Sequence, residues 1–351
     1  MAEKKLKTGV IGTGMGRYHM EAYSQMPDVE LIAVCDLNVP EASLFAEKWG
    51  ARIVTENYKD LLKIDELDAI SIATPNHWHA PMTIDFLNAG KHVLCEKPMA
   101  TTWQDARAMV DAAKANKRRL MIEQSLRFSK DSHIVKWYID NNDLGNIYFS
   151  RVGWIRRKGM PVLNFDKNGS MGRGEWFIIK KEAGGGSLYD IGVHFIDLAW
   201  YFMGKPKPVT VSGVSYLEVA KPELQRKELP QEVDELSSAL IRFENGAALE
   251  CIISWDAHQG SEYKLQVFGD KGGASMNPAK IYRGTPVIET VELEIPTGGL
   301  PTIAPYRHFI DCIKDPEMEM IASGEEVVTI IRILNAIQES AEKGREIVLA
   351  D

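Results

Sequence analysis

Six short apolar runs alternate with helix signals over residues 1–124, and this alternation restricts the fold more than any other feature of the chain. The strand-like runs cover 7–12, 29–35, 52–55, 69–74, 92–95 and 119–124. Helical segments at 15–26, 40–50, 58–63, 81–89 and 101–116 separate them. Pro27 stops the first helix, Pro40 suits the first position of the second, Gly90 follows the fourth, and Thr101 or Thr102 caps the fifth. Parallel strands need long crossovers that pack back onto the sheet with a right-handed sense. The expected first domain, residues 1–124, is therefore an α/β unit with a doubly wound parallel sheet.

After residue 124 the period changes. A helix near 132–141 is followed by longer alternating runs at 147–154, 209–219, 236–243, 247–255 and 263–268. Asn245-Gly246, between two of these runs, is a tight-hairpin signal. Amphipathic helices at 305–314 and 325–343 close the chain. The expected second domain, 125–351, is an α+β unit with a large open, mostly antiparallel sheet. A length of 351 residues agrees with two domains at roughly 100–200 residues each.

Composition narrows the partners. With 45% hydrophobic and 26% charged residues the chain is an ordinary globular one, not a disordered one. Its 41 Lys+Arg against 49 Asp+Glu leave a net charge of −8, so no basic field invites nucleic acid or an anionic membrane. The basic start lacks an apolar signal core, and the most apolar stretch, 187–204, holds Asp190, His194 and Asp197. Four scattered cysteines form no metal or disulfide pattern. The expected location is the cytoplasm, with no metal.

Chemistry concentrates at the strand ends. Gly12-Thr13-Gly14-Met15-Gly16-Arg17 joins the first strand to the first helix, where a glycine turn admits a pyrophosphate to helix N–H groups. The third glycine falls one place early and Arg17 takes the sixth position, so a plain tight turn is the alternative. Asp36 ends the second strand, where a carboxylate accepts the ribose hydroxyls of NAD and repels the 2′-phosphate of NADP; turn capping is its plainer role. Thr74-Pro75-Asn76-His77-Trp78-His79 and Glu96-Lys97-Pro98 follow the fourth and fifth strands and should face the same crevice. His77-x-His79 lacks a nearby third ligand and is better read as loop residues near the nicotinamide. Pro98 holds Lys97 extended, so its ammonium has a fixed direction; a solvated charge is the alternative.

Gly12-x-Gly14, Asp36, Ala73-Thr74-Pro75-Asn76-x-x-His79 and Glu96-Lys97-Pro98, in this order, resemble the glucose–fructose oxidoreductase / inositol dehydrogenase (Gfo/Idh/MocA) family. The resemblance runs along the whole chain, although the second domain is matched mainly by Gly184-Gly185-Gly186-x-Leu188-x-Asp190-x-Gly192-x-His194-x-x-Asp197. It implies an N-terminal Rossmann domain and NAD as cofactor, held by Gly12, Gly14, Met15, Gly16, Asp36, Thr74, Pro75, Asn76, His79, Glu96 and Lys97. It also implies that Lys97 lies beside substrate and nicotinamide, that Asp190 and His194 have catalytic and substrate-binding roles, and that the open sheet face is covered in a homodimer or homotetramer. Glu123-Gln124-Ser125-Leu126-Arg127-Phe128 departs from the family's N-x-R-F segment and keeps only Arg127-Phe128.

Spacing alone puts Asp190, His194 and Asp197 within a roughly 60° arc of one helix, which a structural hydrogen-bonded triad would also explain. Oxidising a secondary alcohol removes a hydride from carbon and a proton from oxygen. His194 suits the proton transfer, Asp190 the orientation of substrate, and Lys97 the negative charge on oxygen. Trp and Arg suit sugar recognition, which singles out Arg157 and Trp176, with a core indole and a solvated guanidinium as alternatives. The expected activity is the NAD-dependent, reversible oxidation of a secondary hydroxyl of a sugar, sugar derivative or inositol. NAD-assisted glycoside cleavage on the same fold and a non-catalytic NAD- or sugar-binding protein are the alternatives.

Overall fold

The computed structural model describes residues 5–163, 174–283, 289–292 and 304–349. It divides into two compact units, Met1–Gln124 with Leu300–Val328, and Ser125–Gly299 with Thr329–Asp351. The part of the chain around the helix Ala304–Lys314 thus belongs to the first unit. Its Arg307 reaches Asp28, and Arg119 donates to the carbonyl of Cys312 at 3.1 Å. No helix among the described residues is long and apolar enough to cross a membrane.

In the first unit six strands, β1 Leu6–Ile11, β2 Val29–Cys35, β3 Ile53–Thr55, β4 Ala69–Ile72, β5 His92–Cys95 and β6 Leu120–Ile122, form a sheet ordered β3-β2-β1-β4-β5-β6. Neighbouring strands pair parallel throughout this sheet. Such strands are covered on both faces and read as continuous apolar runs, as the buried Val10, Ile32, Val34, Ile70, Ile72, Val93 and Leu94 illustrate. The order reverses between β1 and β4, so the crevice beyond their carboxyl ends is the ligand-binding edge.

In the second unit nine strands follow the order β14-β13-β12-β11-β7-β10-β9-β8-β15. They are β7 Ile147–Ile155, β8 Pro208–Tyr216, β9 Leu236–Phe243, β10 Ala248–Ser254, β11 Glu262–Gly269, β12 Gly272–Met276, β13 Lys280–Arg283, β14 Glu289–Glu292 and β15 Ile347–Val348. The pairing is antiparallel except between β10 and β7. Asn245-Gly246 does turn the β9–β10 hairpin, with Gly246 at φ +84. Register separates the two faces. The row Gly213, Ala239, Cys251, Val152, Leu265, Met276 points toward the helices and is largely buried. Gly213 is needed there because a Cβ would sit 3.0 Å from Ile337 of the helix Gly324–Lys343. The neighbouring row Ser212, Leu240, Glu250, Arg151, Gln266, Ser275 points to the other face.

The single apolar helix expected over 187–204 is two pieces, a π turn Leu188–Gly192 and an α-helix Val193–Phe202. Its buried acid Asp197 takes a two-pronged bond from Arg127, Nε to Oδ2 and Nη2 to Oδ1 both at 2.8 Å. Both side chains are almost fully buried, and the guanidinium lies 4.7 Å from the Tyr201 ring. Breaking a buried pair strands one charge, so Arg127→Leu is expected to cost about 3–5 kcal/mol, with part regained on adding Asp197→Leu. Urea unfolding of the single and double variants checks this.

Candidate active site

The first unit builds a dinucleotide crevice at the ends of β1, β2, β4 and β5. Gly12 leaves β1 with φ +89, and a Cβ there would collide with the Ala73 carbonyl beyond β4. Only glycine satisfies both demands. Around Gly14 nothing lies within 4 Å of where a Cβ would stand, leaving the backbone open to a phosphate. Gly16 opens the helix Gly16–Ser24 and lies against β1, where a Cβ would meet Val10 Cγ1 at 2.8 Å. Tight turn, open approach and close helix packing are therefore all present, although the third glycine comes a residue early. The helix has no acid in its first turn and no side-chain cap from Met15. Its N–H groups and dipole thus remain available to an anion.

Asp36 does the plainer job foreseen for it as well as offering an acceptor. Its Oδ2 accepts the Thr13 N–H at 2.7 Å and the Thr13 hydroxyl at 2.9 Å, and Oδ1 accepts the Asn38 N–H at 2.8 Å. The carboxylate thus ties the glycine turn to the end of β2. Each carboxylate oxygen has two lone pairs, so Oδ1, which accepts the Asn38 N–H, retains capacity for a ribose hydroxyl.

His79 joins the two remaining loops. Its Nδ1 lies 2.7 Å from the Pro98 carbonyl and its Nε2 2.9 Å from the Thr74 carbonyl. Burial pushes its pKa below the ordinary histidine value, against the opposing pull of those carbonyls. It is thus a strut that holds Thr74, Pro75 and the buried Asn76 beside the Glu96-Lys97-Pro98 turn. The Lys97–Pro98 peptide is cis, and Lys97 is half-buried. Glu96 is buried, with Oε1 3.0 Å from His19 Nε2 and Oε2 accepting the Lys97 N–H at 3.2 Å. Burial raises its pKa, but the His19 bond and the charges of His19, Lys97 and His79 more than offset this and hold it below the usual carboxylate range.

In the second unit, the Gly184-Gly185-Gly186 entry to the π turn is shaped by an acid that sequence reading missed. Asp234 accepts from the Gly186 N–H at 2.8 Å, the Ser187 hydroxyl at 2.8 Å and the Leu188 N–H at 3.1 Å. A Cβ at Gly186 would collide with the Asp234 carbonyl. Its neighbour Glu235 accepts from the N–H groups of Glu218, Val219 and Ala220 at 2.7, 2.5 and 2.6 Å. Asp256 accepts from the N–H groups of Gly159 and Met160. The only sequence signal for the first two was an Asp-Glu pair directly before an apolar strand.

The stripe Asp190, His194, Asp197 divides by partner. Asp197 belongs to Arg127. Asp190 accepts the indole N–H of Trp255 at 3.1 Å and is buried. His194 is half-buried beside Trp154, ring centroids 6.2 Å apart. Trp154 also packs on Tyr263 at 4.7 Å and Phe195 at 5.2 Å, and the Arg156 guanidinium lies 5.2 Å from its ring. Arg157 is exposed, and Trp176 is half-buried against Phe177. Trp154 lies in β7, Arg156 directly follows the strand's end, and Arg157 lies in the bend beyond it. Among the described residues no cluster of three His, Cys, Asp or Glu is placed to hold a metal.

Comparison with known proteins agrees with this layout. The model of an oxidoreductase family with an NAD-binding Rossmann fold matches residues 6–124, and the GFO/IDH/MocA C-terminal domain matches 133–275. D-glucoside 3-dehydrogenase of Escherichia coli (strain K12) is 30% identical, covering 99% of this chain and 99% of its own. Levoglucosan dehydrogenase of Pseudarthrobacter phenanthrenivorans is 29% identical over 78% of this chain and 74% of its own. A levoglucosan dehydrogenase structure in complex with NADH superposes with a TM-score of 0.85 at 25% identity, covering 99% of this chain and 100% of that one.

The two glycines of the turn should respond differently. Gly14→Ala is expected to keep the wild-type Tm while weakening NAD binding about tenfold, or about 1.4 kcal/mol. Gly12→Ala is expected to lower the Tm itself. Calorimetry paired with NADH fluorescence titration separates the two outcomes.

Proposed function

The chain belongs to the Gfo/Idh/MocA oxidoreductase family, and from that membership we propose a dehydrogenase that oxidises a secondary hydroxyl of a sugar, sugar derivative or inositol with NAD. NAD, when bound, accepts the hydride. The chain's own residues hold the dinucleotide, orient the alcohol and move its proton. The observation that carries the reading is the glycine turn tied to Asp36, a dinucleotide cradle, in a chain whose full-length relatives oxidise sugars. In the first unit Gly12, Gly14, Met15 and Gly16 face the pyrophosphate, and Asp36 takes a ribose hydroxyl in preference to a 2′-phosphate. Thr74, Pro75, Asn76 and Glu96 shape the nicotinamide end, with His79 as their brace.

Lys97 is assigned the negative charge that develops on the substrate oxygen. His194 is assigned the hydroxyl proton, and Asp190, fixed by Trp255, the orientation of the substrate. Arg157 and Trp176 remain candidates for sugar contact, and the closer packing of Arg156 and Trp154 beside His194 adds a second pair. All four cysteines are buried free thiols, which supports a reducing, cytoplasmic setting.

The outward face of the nine-stranded sheet supports a homodimer or homotetramer. Val214, Tyr216 and Phe268 are exposed large apolar side chains, and Leu240 and Ile252 are half-buried on the same face. Exposed apolar groups on a mixed sheet face are better covered than solvated. Light scattering at working concentration should give a dimer or tetramer; a monomer counts against this assembly.

Activity is tested by following NADH formation with levoglucosan, methyl glucosides, glucose and inositols. Turnover with NAD on at least one is expected, with NADPH bound more weakly than NADH. Aglycone release with no net NADH would sink the dehydrogenase reading. Lys97→Ala and His194→Ala should each lower kcat at least tenfold, about 1.4 kcal/mol, while NAD affinity stays within severalfold. Wild-type turnover in either variant removes that residue from the mechanism. Combining the two variants shows through non-additivity whether they serve one step.

A further inference from the structure

His19 is fully buried on the helix Gly16–Ser24, yet it is not needed to fill space as a polar ring. Its Nε2 lies 3.0 Å from Glu96 Oε1, and its ring leans on Tyr306 with centroids 4.6 Å apart at 60°. Its other nitrogen, Nδ1, is buried and has no hydrogen-bond partner among the described residues. With no acceptor at Nδ1, the hydrogen bond that His19 makes is the one from Nε2 to Glu96. A leucine or methionine would occupy the volume without leaving a polar atom unsatisfied. What the histidine adds is therefore its bond to Glu96.

Glu96 passes that constraint on. Its two oxygens are split between His19 and the Lys97 N–H, so the carboxyl plane is set from both sides. The same carboxylate stands in the field of Lys97 and His79. If the His19 bond is removed, the buried carboxyl is free to rotate away from the Lys97 main chain. Among the described residues His19 is the hydrogen-bond partner of Glu96 Oε1. Tyr306, from the far end of the sequence, packs on the ring, and Tyr23 lies edge-on to Tyr306 at 6.3 Å.

We propose that His19 is a positioning residue, acting through Glu96 to hold the main chain at Lys97 in the geometry that aims its ammonium. The inference rests on the role assigned above to Lys97. It makes the first helix of the dinucleotide fold, besides cradling phosphate, a support for the group beside the reacting oxygen.

The test compares His19→Gln, His19→Asn and His19→Leu, using as probe whichever of levoglucosan, methyl glucoside and myo-inositol is oxidised fastest. A glutamine amide reaches about as far as Nε2, whereas an asparagine amide stops near Nδ1. His19→Asn and His19→Leu are expected to lower kcat at least tenfold with the KM for NAD within threefold, and His19→Gln to return kcat to within threefold of wild type. In a Lys97→Ala background, His19→Asn should cost nothing further. Wild-type kcat in folded His19→Asn, equal losses in Gln and Asn, or failure of all three variants to fold would each overturn the proposal. Wild-type turnover in Lys97→Ala, or no oxidation of any probe, would overturn the functional reading and this inference with it.

Discussion

A carboxylate taken out of water must have donors aimed at it, and the loops that matter in this protein are arranged around that requirement. Asp36 gathers Thr13 and Asn38 at the glycine turn, and Asp234 gathers Gly186, Ser187 and Leu188 at the entry to the π turn. Glu96 stands between His19 and the main chain of Lys97, and Asp256 holds the backbone at 159–160. In each case the acid stands one or two residues beyond a strand end and takes at least one backbone N–H from an irregular segment. The irregular segment gives up its freedom because leaving the charge unpaired costs about 1–3 kcal/mol or more. The chain's excess of acid over base is therefore partly internal, spent on fixing loops rather than on colouring the surface.

This arrangement explains why the functional residues can sit on loops and turns without losing position. Parallel strands end at one edge, and the residues just beyond them have no ladder partners to hold them. His79 answers this by bracing the turn after β4 against the turn after β5, with one ring nitrogen on each carbonyl. The π turn at Leu188–Gly192 answers it differently. A wider turn shifts the following helix relative to what precedes it, so Asp190 and Asp197 are handed to different partners instead of forming one stripe.

That division shows where sequence reading reached and where it stopped. The glycine turn, Asp36, the hairpin at Asn245-Gly246 and the six parallel strands were readable because each depends on neighbours a few residues away. Asp190 and His194 were readable as chemistry-bearing groups inside an apolar segment. Their partners were not, because Trp255 is 65 positions from Asp190, and Arg127 is 70 from Asp197. Arg156 and Arg157 both follow the end of β7, and composition cannot tell which of two adjacent arginines packs on Trp154.

By itself, then, the sequence determined the order of elements, the parallel sheet with its glycine turn and acid, and the set of ionisable groups that the apolar pattern could not absorb. Those are consequences of local backbone sterics and hydrophobic period, which act along the chain. Only the tertiary structure decided which buried acid meets which donor, that residues 304–328 join the first unit, and that His19 stands behind Glu96. Such pairings are set by which surfaces pack together, and desolvation makes them obligatory only after packing has brought them close.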